Sequence, residues 1–171
     1  MTRVNPVRRA TLDDLDEILS LWVHYIRVHR VNPAYRNMPP DAVRIRRAVF
    51  ESHIRGEDSE VFVVMGSDGS LEGMLTCFEE DNAAYFHPPK YARIQTPFVR
   101  PEARGRGLLK RMLDEAYRWA RERELTETRL FVSAMAEAAN QLAEEHGFEA
   151  IAVIRRRPIE WDYPSDPGLP R

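Results

Sequence analysis

An α/β (α+β) fold, with a mixed and mainly antiparallel central sheet flanked by about four helices, is the class the sequence predicts. Three observations predict it. Apolar residues recur at helical spacing in four segments, and short β-prone runs fill the stretches between them. Two of those runs, EVFVVM and LEGMLTCF, flank GSDGS, which is the pattern of an antiparallel hairpin. A third run, YARIQTPFV, leads through RPEARGRG into an amphipathic helix, a strand-to-helix corner marked by Pro101, Gly105 and Gly107.

The elements follow in chain order. VRR opens as a short strand, and Thr11 with Asp14 three residues later gives a capping-box start in which aspartate replaces the usual glutamate. Leu15, Ile18, Leu19, Trp22, Tyr25 and Ile26 then form the core face of a first helix. Residues 30–41, rich in proline and asparagine, make a loop, after which Ala42, Ile45, Val49 and Phe50 predict a second helix ending near Gly56. The hairpin and the third strand come next. Pro97 cannot donate a ladder hydrogen bond, so an edge, a bulge or a splayed pair is expected there. Leu108, Leu109, Met112, Leu113, Ala116, Trp119 and Ala120 lie on one stripe of the following helix. TRLFVSA predicts a further strand, an alanine-rich helix stops at Gly147, and a last strand starts at about Ala150. Residues 1–163 read as a single domain and 164–171, rich in proline, as a flexible tail.

At 171 residues the chain is long enough for a real core, burying roughly 70% of its unfolded surface. Cys77 is the sole cysteine, which excludes an internal disulfide and fits a reducing compartment, so the expected location is cytoplasmic. The polar amino terminus does not resemble a signal peptide, and no apolar run approaches the ~20 residues of a membrane span. Net charge is −2, from 25 basic and 27 acidic residues, which argues against nucleic acid as the main partner. The histidines lack a ligand spacing such as His-Glu-x-x-His, so no metal is expected.

Two glycines at a helix start need a local reason, because each costs about 0.8–1 kcal/mol relative to alanine within a helix. A tight corner is one reason. An anion is the other: bare N–H groups at a helix start carry partial positive charge, and glycine lets a phosphate approach them. Arg104, Arg106, Lys110 and Arg111 crowd the same turn.

FVRPEARGRGLLKRML resembles the acetyl-CoA motif of the GCN5-related N-acetyltransferases, a Val-x-Pro leading into Arg/Gln-x-x-Gly-x-Gly/Ala, carried here by Val99, Pro101, Arg104, Gly107 and Leu109. AANQLAEEHGFEAI is similar to that family's later helix ending in Gly-Phe, here Gly147 and Phe148. The likeness covers roughly residues 4–160. It implies a sheet of six or seven strands, acetyl-CoA as acetyl donor, and direct transfer in a ternary complex to a primary amine of a small molecule or peptide. It also implies that the turn through Arg104, Gly105, Arg106, Gly107, Leu108 and Leu109 holds the pyrophosphate. An N–H near Phe98 or Val99 would polarise the thioester carbonyl, and the loop after the first helix, with His29, Arg30, Tyr35 and Arg36, would line the acceptor site.

Three departures from the pattern stand out. Leu109 replaces a glycine or alanine, and Ala143 falls where many members place a tyrosine that protonates the thiolate, leaving Ser133, another tyrosine or water for that role. The third strand carries no carboxylate, so Glu79, Glu80 and His87 are the base candidates. Little chain separates Phe148 from the tail, so the closing strand is either missing or supplied by a partner, as in a homodimer. A cofactor-binding module with little catalysis is the alternative function, and an RNA-contacting protein a third.

Overall fold

The computed structural model describes residues 6–157. The chain runs β1 (Val7–Arg9), α1 (Leu15–His29), α2 (Ala42–Arg55), β2 (Ser59–Met65), β3 (Leu71–Asp81), β4 (Lys90–Val99), α3 (Leu108–Glu122), β5 (Thr128–Leu130) and α4 (Glu137–Glu145). The strands form one sheet in sequence order. β1 to β4 pair antiparallel and β5 joins β4 in parallel.

β2 shows why the sheet must be covered on both sides. Val61 and Val63 join a cluster with α1 and α2, while Phe62 and Val64 join one with α3, so its alternate residues face two apolar layers. α1 begins as the sequence predicts. Asp14 accepts from the Thr11 N–H at 2.7 Å and from the Thr11 hydroxyl at 3.1 Å, and it holds Arg8 of β1 through two 2.7 Å bonds. Glu17 of α1 accepts from the Leu71 N–H at 2.7 Å, which ties the helix to the start of β3.

Three expectations are corrected. The inward face of α2 is rotated from the predicted stripe: Phe50 is fully buried and Ala42 and Ile54 pack beside it, whereas Ile45 is 45% exposed. Five strands form among the described residues instead of six or seven, since 151–157 adopt no regular structure after Gly147 ends α4. The predicted strand TRLFVSA shortens to Thr128–Leu130, because the chain leaves β4 after Leu130. The predicted tail, 164–171, lies outside the described residues.

Candidate functional site

The site is built on β4. As far as Ile94 this strand is paired on both sides, its β5 contacts ending at the Ile94–Leu130 pair. Beyond that point the β5 side is open. On the β3 side the register shifts there: Thr76 faces Gln95 and Met74 faces Phe98, so Thr96 and Pro97 together stand opposite Leu75. Thr96 takes φ 48°, and Pro97 has no N–H to offer, so the irregularity predicted at Pro97 is a bulge beside a splay. The inserted residue switches faces. Ile94 packs in the α3 layer, and Phe98, four residues on, packs in the α1 layer.

Past the bulge, the Arg100 N–H donates to the Glu72 carbonyl at 2.8 Å. Alternation along an antiparallel strand therefore turns the Val99 N–H away from β3, toward the open side. The chain then passes through Gly105 (φ 74°) and Gly107 (φ 70°) before α3. These angles, which disfavour other residues, explain both glycines as a corner. The corner is also a notch: nothing lies within 4 Å of where a Cβ would stand at either position. The first-turn N–H groups of Leu108, Leu109 and Lys110 open onto it, ahead of the first intrahelical bond from Arg111 to Gly107 at 3.2 Å.

A groove of about 820 Å³ runs from this notch along Pro97, Phe98 and Val99, between Val28 and His29 at the end of α1 and, opposite, Ala139 and Leu142 of α4 with His146 just past its end. A smaller hollow of about 90 Å³ adjoins it and shares His29, Pro97 and Leu109 with it; Ser133 and Ala143 lie there.

Of the predicted residues, Phe98, Val99, Arg104, Gly105, Gly107, Leu108, Leu109 and His29 all line the groove. Arg104 donates through Nε to the Val99 carbonyl at 3.2 Å. Arg106 turns aside to Glu72, 2.9 Å away. Arg36 donates to the Arg30 and Val31 carbonyls at 3.2 and 3.1 Å, so it braces its own loop, and Arg30 is exposed. Tyr35 sits with its ring centre 6.0 Å from that of His29 and its hydroxyl 3.5 Å from that of Tyr25. Glu79 and Glu80 belong to β3, where they pair with Lys90 at 3.2 Å and Arg93 at 2.9 Å. Glu80 stands opposite Tyr91, eight residues along β4 from Val99, or about 25 Å. His87 lies in the connection between those strands, and none of the three lines the groove or the hollow.

Two groups are poised for proton chemistry. The His29 imidazole, tilted against the Tyr25 ring with centres 4.2 Å apart, is pushed by burial below the usual imidazole range and so is neutral at physiological pH. Ser133 Oγ accepts from Asn32 Nδ2 at 3.0 Å and from the Met135 N–H at 3.3 Å, so its two lone pairs are engaged and its proton is left to donate. Tyr25 and His146, which the sequence reading did not assign to the site, also belong to it. Tyr25 was visible as a core residue only, and a helix-end histidine gives no signal of its own. Cys77 is fully buried and its thiol is pushed up to about 12, chiefly by that burial. No group of three or more His, Cys, Asp or Glu among the described residues is placed to hold a metal. No helix among them is long and apolar enough to cross a membrane.

Comparison with known proteins agrees with this geometry. A model of the acetyltransferase (GNAT) family matches residues 25–148. An uncharacterized N-acetyltransferase of Archaeoglobus fulgidus is 27% identical over 128 residues, which is 74% of this chain and 80% of that protein. The BH1408 protein of Bacillus halodurans, solved as a tetramutant, superposes with TM-score 0.76 at 16% identity over 90% of this chain and 99% of that one. AAC(6')-Iy, solved with the bisubstrate analog CoA-S-monomethyl-acetylneamine, superposes with TM-score 0.70 at 19% identity over 90% and 97%.

Proposed function

This chain belongs to the acetyltransferase (GNAT) family, and from that premise we propose that it moves the acetyl group of acetyl-CoA directly to a primary amine of a small molecule or peptide, in a ternary complex. One observation carries the reading: the open edge of β4 beyond its bulge runs straight into the two-glycine notch. The first-turn N–H groups of α3 hold the pyrophosphate, with Arg104 beside them. The exposed β4 edge aligns the pantetheine arm.

Val99 directs its N–H at the thioester carbonyl, where negative charge develops as the amine attacks. A preorganised donor of this kind lowers the barrier by about 3 kcal/mol. His29, neutral and facing the groove, takes the proton that the amine must lose, and Ser133 donates a hydrogen bond to the departing thiolate from the hollow beside Ala143, the thiolate taking its proton from solvent. In this reading Glu79, Glu80 and His87 serve the far end of the sheet, Arg36 shapes the acceptor loop, and residues 1–163 act as one domain.

Calorimetry with coenzyme A, together with initial rates against acetyl-CoA and an amine panel, tests the proposal. Saturable binding and intersecting double-reciprocal lines are expected, since direct transfer requires both substrates bound at once. Parallel lines would show an acyl-enzyme, and binding without thiol release across the panel would show a silent cofactor module, the outcome that Ala143 raises.

A further inference from the structure

We propose that Arg46 of α2 anchors an anionic carboxylate of the acceptor, so that the substrate is an amine that also bears an acid group; this rests on the acetyltransferase reading and names its substrate class. Arg46 lies on the inward stripe of α2, with Ala42, Phe50 and Ile54. Its guanidinium carbon stands 4.3 Å from the centre of the Phe50 ring and 6.0 Å from that of Trp22. The neighbouring arginines of the helix are satisfied, Arg44 by Asp41 and Arg47 by Asp16. Arg46 has no acidic partner among the described residues. Its nearest acceptors are Gln95 Oε1 at 3.4 Å and Thr96 Oγ1 at 3.5 Å, both at the outer limit of a hydrogen bond, and its Nε is buried with no acceptor at all.

A guanidinium does not discharge in a protein, so a half-buried one needs an anion or a dense set of acceptors to offset its lost hydration. This one has neither. Burial weighs against its charge, and Tyr25 and Tyr35 offset this in part. Arg46 lines neither the groove nor the hollow itself, and its link to them runs through β4. Thr96, which it touches, is the bulge residue, and the next two residues, Pro97 and Phe98, line the groove. Two strand residues span roughly 7 Å, so an acceptor gripped at Arg46 can reach the transfer point with an amine several bonds away. Tyr25, which also acts electrostatically on Arg46, stands beside the groove with its ring centre 6.4 Å from that of Phe98 and its hydroxyl 3.5 Å from that of Tyr35. The same arrangement disfavours a polycationic acceptor, which would bring like charge against Arg46. A purely structural Arg46, strapping α2 to β4 by stacking, would show no selectivity for acids.

The test compares acids with their uncharged amides: β-alanine, 6-aminohexanoate and glycylglycine against the corresponding carboxamides, with kanamycin as the polycation. We expect at least one acid to exceed its amide by tenfold or more in kcat/KM, chiefly through KM. In Arg46→Met that ratio should collapse to near one, and in Arg46→Lys it should be intermediate, with an unchanged coenzyme A dissociation constant showing that each variant folds. Ratios near one for all three pairs in the unaltered protein, a preference that survives in Arg46→Met, or kanamycin outrunning every acid would overturn the inference. Should no amine be acetylated, hexanoate and hexanamide are titrated into the coenzyme A-loaded protein by NMR. Carboxylate-selective shifts lost in Arg46→Met support the anchor, and their absence overturns it. A failure to bind coenzyme A is a separate result that overturns the acetyltransferase reading itself.

Discussion

Gly107 concentrates the donor-binding argument in one residue, because its φ of 70° and the open space beside it are both required. In Gly107→Val a β-branched side chain meets a left-handed angle and fills the notch where the phosphate would sit. Coenzyme A affinity measured by calorimetry should fall at least tenfold. His29 carries the proton argument. Its imidazole is held below the usual range by burial, so it is protonated, and unable to act as a base, only when pH falls below a value under 6.5. The kcat/KM profile should show an acid limb there, and any further rise between pH 7 and 9 reports the amine of the acceptor. In His29→Gln the limb should vanish and kcat drop by roughly 100-fold, measured in initial-rate pH profiles. Arg46 was not singled out in the sequence, where the predicted stripe of α2 ran through Ala42, Ile45, Val49 and Phe50. Its place on the inward face, and its lack of an acidic partner among the described residues, become visible only once the neighbours are placed.

The start of α1 and the whole of α4 show opposite ways of holding a helix. At α1, the hydrogen bond from Arg8 brings the Asp14 carboxyl down to about 2 against burial, with the Thr11 N–H and the Arg8 charge assisting. A carboxyl depressed in the folded state stabilises above its unfolded value near 3.8, and that contribution is lost as pH falls through about 2. With the Asp14 side chain 11% exposed and that of Arg8 33% exposed, solvent screening leaves about 1–2 kcal/mol. Asp14→Asn should therefore lower Tm by roughly 2–8 °C at pH 7, with a flatter loss of stability between pH 4 and 2 than in the unaltered protein, followed by calorimetric scans. α4 buries no residue at all, yet Ala139, Leu142 and His146 form one wall of the groove. A helix with so little packing depends on what fills the groove, so its amides should exchange quickly in the free protein and gain protection with coenzyme A, read by hydrogen exchange. The capping box of α1, the stripe of α3 and the Gly147 stop were all legible, because each depends on residues within a few positions of one another. The inward face of α2 was not, since it is set by the sheet it meets.

For the molecule as a whole, the sheet separates two apolar layers, and Cys77 lies in the α3 layer with no exposed surface and a thiol pushed up to about 12. A buried, protonated thiol reports global opening. Its modification by a disulfide reagent should be undetectable in the native protein and should track the unfolding transition in denaturant; prompt reaction would show that this layer opens locally. The sequence by itself determined the order of the elements as far as α4, the hairpin, the irregularity at Pro97 and the glycine corner, because helical period, strand period and backbone restriction act over short distances along the chain. Tertiary structure decided which candidates meet. β4 and β5 part company after the Ile94–Leu130 pair, opening the groove, because β5 ends where β4 bulges, and His29, Ser133 and Arg46 come from three separate parts of the chain. Glu79 and Glu80 were equally good carboxylates in the sequence, but antiparallel register carries them toward the opposite end of β4 and gives them Lys90 and Arg93 as partners. Reaction chemistry needs groups within a few ångströms of one another, and that distance is set by packing and register between remote segments, which no local pattern encodes.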